Sequence, residues 1–119
     1  MKDLKERGLL EDTLVILAVK FSPAPFGQSR TGQPNAGRDH FGRALSWWMA
    51  GGGVNAVTTY GATDEYGWNI TESPIHVHYM QATIIQLAGI NHTKLTYRYQ
   101  GREFRLTDMH GHVQHGILA

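Results

Sequence analysis

The chain has 119 residues, with eleven Lys and Arg against ten Asp and Glu, a formal net charge of +1 and seven His. That balance gives no field for drawing in nucleic acid or an anionic membrane, so neither is expected as a partner. The absence of Cys excludes disulfides and thiolate metal sites and leaves the redox compartment open. The hydrophobic fraction of 41% and charged fraction of 18% fit a globular domain, and no apolar run reaches the length of about 18 residues that a membrane-spanning helix needs.

In chain order, "KDLKERG" reads as the end of a helix, with Gly8 as its stop. "TLVILAV" (13–19) follows as a continuous apolar run, the signature of a central parallel strand buried on both faces. It closes on Lys20, at the carboxyl end where open α/β sheets bind ligands. A helix followed by such a strand is half of a βαβ unit, so the preceding strand is expected upstream of Met1. Residues 21 to 42 carry Pro23, Pro25, Pro34 and four glycines, and read as one long functional loop. "ALSWWMA" (44–50) is a second apolar strand halted by Gly51-Gly52-Gly53, with Trp47 and Trp48 on opposite faces. "VNAVTTYG" extends that strand or forms a short edge strand, and "GATDEYGWNITESP" reads as another loop. After Pro74, "IHVHYMQATIIQLAG" predicts a helix with Met80, Ile84, Leu87 and Ala88 on one stripe and Gly89 at its end. "LTYRYQGREFRL" predicts a β-hairpin about Gln100-Gly101. It pairs Tyr99 with Arg102, Arg98 with Glu103, Tyr97 with Phe104 and Leu95 with Leu106, putting an Arg98–Glu103 ion pair on one face. Two strands, one full helix and one hairpin make a thin core for an α/β layer fold, so the chain reads as a single partial domain, 1–119.

Four motifs carry candidate chemistry. "GRDH" (37–40) offers His40 as a metal ligand with Asp39 as ligand or orienter, or is an ordinary surface turn. "HVH" (76–78) can chelate one ion if extended, or open a helix with one His capping and the other packing. "DMHGHVQH" (108–115) is a weak Zn²⁺ or Ni²⁺ tract or a solvated terminal segment. "AGGGV" lets backbone approach an anion but lacks the Lys and Ser/Thr of a phosphate loop. No G-x-S-x-G elbow occurs, and no complete catalytic set assembles from these residues.

Taken together, "DLKERGLLEDTLVI", "GRDH", "WMAGGGV", "TYGATDEYG", "HVHYMQATI", "LTYRYQGREFRLTD" and "HGHV" resemble the C-terminal part of the sulfatase-like family catalogued as domain of unknown function 1501, within the alkaline phosphatase and sulfatase superfamily. The resemblance runs nearly end to end. It implies the C-terminal portion of an alkaline-phosphatase-like parallel-sheet sandwich, of α/β class, ending in a C-terminal β-hairpin, with the N-terminal half of the same domain as its missing partner. Family members are longer and often carry export signals upstream; "MKDLKERGLL" has no apolar signal core, and the compartment is left open. The resemblance further implies hydrolysis of sulfate or phosphate esters at a site holding a divalent metal, Zn²⁺, Mg²⁺ or Ca²⁺.

Carried over residue by residue, the resemblance makes His40 and Asp39 metal candidates and places Lys20, Arg38, His76 and His78 along the site. The family pattern has an acidic residue where this chain has Lys20, an arginine at Pro23, and Asp at Tyr79. A protonated Lys has no lone pair to donate and repels a divalent ion. The expected function is therefore that of the C-terminal segment of a metal-dependent sulfatase- or phosphatase-like hydrolase, inactive by itself. The alternatives are a degenerate, non-catalytic binding or structural relative, a site in which Lys20 holds the anion directly, and a free-standing His-rich metal binder.

Overall fold

The computed structural model describes residues 1–18, 22–28, 37–42, 44–107 and 109–119; for residues 22–26, 28 and 37–41 it describes the backbone alone. The elements run α1 (Lys2–Glu6), β1 (Val15–Ala18), β2 (Ser22–Gln28), β3 (Gly37–Phe41), β4 (Trp47–Ala50), β5 (Ala62–Thr63), β6 (Ile70–Glu72), α2 (Val77–Leu87), β7 (Thr96–Tyr99) and β8 (Arg102–Arg105), with a 3₁₀ turn at His115–Ile117. They form two compact units, one of Met1–Val15, Met49–Tyr60 and Ile75–Ala119, the other of Ile16–Trp48 and Gly61–Pro74.

The first unit is built around α2. His76 caps its start in an extended conformation, and Gly89, at φ +76, follows its last residues. The expected stripe is only partly the buried one. Met80 is buried and Ile84 and Leu87 are half-buried, but Ala88 is exposed, while Ala82 and Thr83 are fully buried. The reason is tertiary. The C-terminal segment lies over that side of the helix, with the Gln114 N–H donating to Thr83 Oγ1 at 2.9 Å. Gly111 sits so close that a Cβ there would stand 2.6 Å from Thr107 Cβ and 3.3 Å from Ala82 Cβ. The same segment buries Ile117, bridges Leu118 to Val54, and receives Asn55 N–H at the Ile117 carbonyl, 2.8 Å. The tail that the sequence allowed to be a solvated terminal segment is docked through Gly111, Gln114, Ile117 and Leu118, which meet α2 or the chain after β4, while Met109, His110 and His112 stay exposed.

Gly51 explains why β4 stops where it does. At φ +71 a Cβ would collide with the carbonyl oxygens of both Leu10 and Thr13, so only glycine lets the chain turn here against the α1–β1 connection. Residues 55–60 form no strand; after the Val54–Leu118 bridge the Asn55 N–H bonds to the Ile117 carbonyl instead.

The hairpin β7–β8 has the predicted register: Thr96↔Arg105, Tyr97↔Phe104, Arg98↔Glu103 and Tyr99↔Arg102. Gln100 (φ +47) and Gly101 (φ +81) both take positive φ, the type I′ geometry whose twist matches the strands. Tyr97 stacks on Phe104 at 5.6 Å, and the Arg102 guanidinium lies 5.0 Å from the centre of the Phe104 ring. The expected Arg98–Glu103 ion pair does not close; the ion pairs among the described residues are Lys2–Glu6 and Arg7–Asp3 on α1. Both residues are exposed, so the closed pair would add little against the entropy of fixing two long side chains.

Two stretches read as loops contain strands. In the second unit β2 pairs antiparallel with β3, through Ser22↔Phe41, Pro23↔His40, Gly27↔Arg38 and Gln28↔Gly37, with an irregularity between Pro23 and Gly27. A two-stranded ribbon has no central strand, so proline can sit where no ladder bond is required. β5 and β6 form a second short antiparallel pair, Ala62↔Glu72 and Thr63↔Ile70.

β1 and β4 pair with each other, as two apolar strands should. Burial on both faces is not realised: Val15 and Ile16 are half-buried, while Leu17 is 65% and Trp48 48% exposed. Among the described residues the buried apolar side chains are Ala44, Met80, Ala82 and Ile117, three of them in the first unit. Apolar strand surface of this kind is ordinarily covered.

Candidate functional site

The described residues with the densest chemistry stand at the start of α2. His76 is the N-cap, and its Nδ1 accepts a bond from the His78 N–H at 3.4 Å. The two imidazoles stack at 5.1 Å, tilted by 19°. Tyr79 presents its ring edge-on to His76 at 6.0 Å and to His112 at 5.2 Å. Two of the sequence's His motifs, "HVH" and "HGH", thus meet across one tyrosine.

That arrangement decides between the two readings of "HVH". Chelation requires two ring nitrogens aimed at one point about 2.0–2.1 Å from each. Near-parallel stacked rings send their in-plane lone pairs along separate planes, and Nδ1 of His76 is already occupied by the cap. The structure realises the helix-opening form, with His76 capping and His78 half-buried beside it. No group of three or more His, Asp or Glu that could hold a metal occurs among the described residues.

Of the remaining candidates, Lys20 lies outside the described residues. Arg38, Asp39 and His40 are carried by the backbone of β3, where Arg38 faces Gly27 and His40 faces Pro23 across the ladder. "GRDH" is therefore on a strand and not in a surface turn. His110 and His112 are exposed.

Two polar arrangements were missed in the sequence. His92 is buried after α2, with Nδ1 3.1 Å from Oγ1 of the buried Thr107, and so joins the end of the helix to the exit of the hairpin. Asp64 organises the turn between β5 and β6. It accepts from the Trp68 N–H at 2.6 Å, the Asn69 N–H at 3.0 Å and Asn69 Nδ2 at 3.1 Å. These bonds, that of Trp68 first, hold the Asp64 carboxyl below its ordinary value of 3.8 because they stabilise the carboxylate. The signal for Asp64 was present in "TDEYGWN", an Asp whose side chain serves backbone donors further along a Gly-containing turn. His92 had no local signal.

Compared with known families, residues 1–118 match the sequence model of a family described as a protein of unknown function, DUF1501. The chain belongs to the DUF1501 family. The match spans both compact units and includes each motif discussed above. No curated protein and no solved structure gives a significant match. Within this DUF1501 chain, the ring network about Tyr79 is thus the one described cluster that brings sequence-predicted site residues, His76 and His78, together with a third histidine.

Proposed function

We propose that this DUF1501 chain is the C-terminal segment of a sulfatase-like domain of the alkaline phosphatase superfamily, acting in metal-dependent hydrolysis of sulfate or phosphate esters and inactive alone. Its fold in that setting is the end of a parallel-sheet α/β sandwich. The observation that carries the reading is the family match over residues 1–118, joined to the likeness of "GRDH", "TYGATDEYG" and "HVHYMQATI" to the sulfatase-like pattern. The exposed apolar surface of β1 and β4 supports it, since such strands are stable when further layers cover them. In this reading His40, with Asp39, contributes to a divalent-metal site whose other ligands come from elsewhere. The metal would polarise the ester oxygens and activate the attacking group. Arg38 and Lys20 line the anion side.

The test is an assay of the chain with aryl sulfate and aryl phosphate in the presence of Zn²⁺, Mg²⁺ or Ca²⁺, repeated with the chain joined to the N-terminal half of a sulfatase-like relative. Activity only in the joined protein, lost with His40→Ala, is expected. Turnover by the isolated chain would overturn the incomplete-site part, and an inactive joined protein that binds no metal would overturn the rest.

A second reading is favoured by one described contact. Tyr79, which stands where the family pattern has Asp, is packed edge-on between His76 and His112. A position whose carboxylate has become a packing ring, together with Lys20 and Pro23, fits a degenerate relative kept as a binding or structural module. Such a protein would bind no divalent metal even when joined to an upstream half.

A further inference from the structure

The hairpin β7–β8 has a free edge with a defined chemistry. Because Tyr99 and Arg102 flank a two-residue type I′ turn, they form a pair that exchanges both backbone bonds, and the pattern alternates from there. Arg102 and Phe104 thus spend their backbone groups on β7. Glu103 and Arg105 turn theirs outward, and among the described residues neither backbone makes a bond outside the hairpin ladder. Along that edge runs an open cleft of about 430 Å³ lined by Arg102, Glu103, Phe104, Arg105 and Met109. The cleft's side chains are two cations, one anion and an apolar pair.

We propose that the outer edge of β8 is a strand-addition site for an extended, acidic segment of another polypeptide. An unpaired strand edge gives an incoming chain its main-chain bonds, and the side chains beside it set which sequence is accepted. Here an added antiparallel strand meets Arg105, Phe104, Glu103 and Arg102 in turn. The complementary order is a carboxylate, an apolar residue, a cation or neutral polar residue, and a carboxylate. Met109, 71% exposed, extends the apolar part of the cleft beyond Phe104. The two arginines, against the single Glu103, favour approach of an acidic strand. This inference is independent of the hydrolase reading.

The test titrates the ¹⁵N-labelled chain with the capped peptide Thr-Glu-Val-Lys-Glu-Thr and follows amide resonances. The expected result is saturable movement and slowed exchange of the Glu103 and Arg105 amides, while those of Arg102 and Phe104 keep their exchange rates. The double variant R102E/R105E should bind at least about tenfold more weakly and recover with a peptide whose two Glu are Lys. Both changes are at exposed positions, and retained Tyr97–Phe104 ring shifts report an intact hairpin. A peptide N-methylated at the nitrogens facing β8 should not bind. The proposal is overturned if the outward amides stay unchanged, if the N-methylated peptide binds equally, or if those amides are already protected in the free chain in a concentration-dependent way, which would assign the edge to a second copy.

Discussion

Thr83 Oγ1 donates to the Tyr79 carbonyl at 2.8 Å and accepts the Gln114 N–H at 2.9 Å, so one buried hydroxyl serves both α2 and the segment docked on it. Gln114 in turn accepts from the Tyr60 hydroxyl at 3.2 Å through Oε1. Three separate stretches of the first unit are thereby tied to one helix position. Thr83→Val keeps the volume and removes the acceptor, leaving the Gln114 N–H without its partner on the part-buried side. The expected loss is about 1–2 kcal/mol of unfolding free energy, measured by denaturant titration. Faster exchange of the Gln114 amide should accompany it. An unchanged Gln114 exchange rate would show that the hydroxyl does not hold the segment.

The glycine after β4 separates steric from conformational cost. Gly51 and Gly67 share nearly the same backbone angle, φ +71 and +67, but a Cβ at Gly51 meets two carbonyl oxygens, whereas at Gly67 it meets nothing within 4 Å. Gly67→Ala should cost only the left-handed penalty, about 1–2 kcal/mol. Gly51→Ala adds a clash with backbone that cannot rotate away, and should lose roughly 2 kcal/mol more. Thermal unfolding of both variants, side by side, checks the difference.

Asp64 gives a pH prediction whose sign follows from its bonds. Its carboxyl is held below 3.8 by donors that prefer the carboxylate, so the contribution to stability is present above 3.8 and fades as pH falls through the lower native value. Asp64 is only half-buried and bonds within its own turn, so the effect is local. The Trp68 amide shift should follow Asp64 with a midpoint below 3.8, and Asp64→Asn should abolish that titration. A midpoint at or above 3.8 would remove the carboxylate from its role in the turn.

What could be read from the sequence divides along the range of the interactions. The β7–β8 turn and register were legible because Gln100-Gly101 and the alternation beside it are local, although the ladder ends at Thr96↔Arg105, short of the expected Leu95–Leu106 pair, and the Arg98–Glu103 ion pair does not close. The cap of α2 was one of two open readings, and stacking of His76 on His78 settled it. By contrast, β2–β3 was hidden because prolines and glycines dominate residues 21 to 42, and pairing of Ser22 with Phe41 leaves no trace in either strand alone. The docking of the C-terminal segment was equally silent. Thr83 reads as an indifferent helix residue and Gly111 as a flexible spacer until they are placed against Gln114 and Thr107. For the candidate site the limit was similar, since Tyr79 and His112 belong to motifs far apart in the chain.

Gln100 allows a gain to be sought in place of a loss. At φ +47 it occupies a left-handed position with a side chain that has no local preference for it, and asparagine tolerates that region better. Gln100→Asn creates the Asn-Gly pair favoured in type I′ turns and should stabilise the hairpin by about 0.5 kcal/mol. Larger ring-current shifts between Tyr97 and Phe104 would report it. The Gln100 Nε2–Tyr99 hydroxyl bond lost in the exchange is 3.4 Å and exposed, too weak to reverse the sign.

Lys20 bears directly on whether the proposed site is impaired or repurposed. Lys20→Glu replaces a cation that repels a divalent ion with a carboxylate that can ligate one. In the protein joined to an upstream sulfatase-like half, an impaired hydrolase should gain affinity for Mg²⁺ or Zn²⁺ by at least about tenfold, because restoring one ligand and removing one like charge act in the same direction. The gain should vanish in Lys20→Glu/His40→Ala, and calorimetric metal titration measures both. A Lys20→Glu protein that still binds no metal would favour the degenerate reading, in which Tyr79 and its histidines serve packing. Weaker inhibition by inorganic sulfate in Lys20→Glu, without any gain in metal affinity, would instead assign Lys20 to holding the anion.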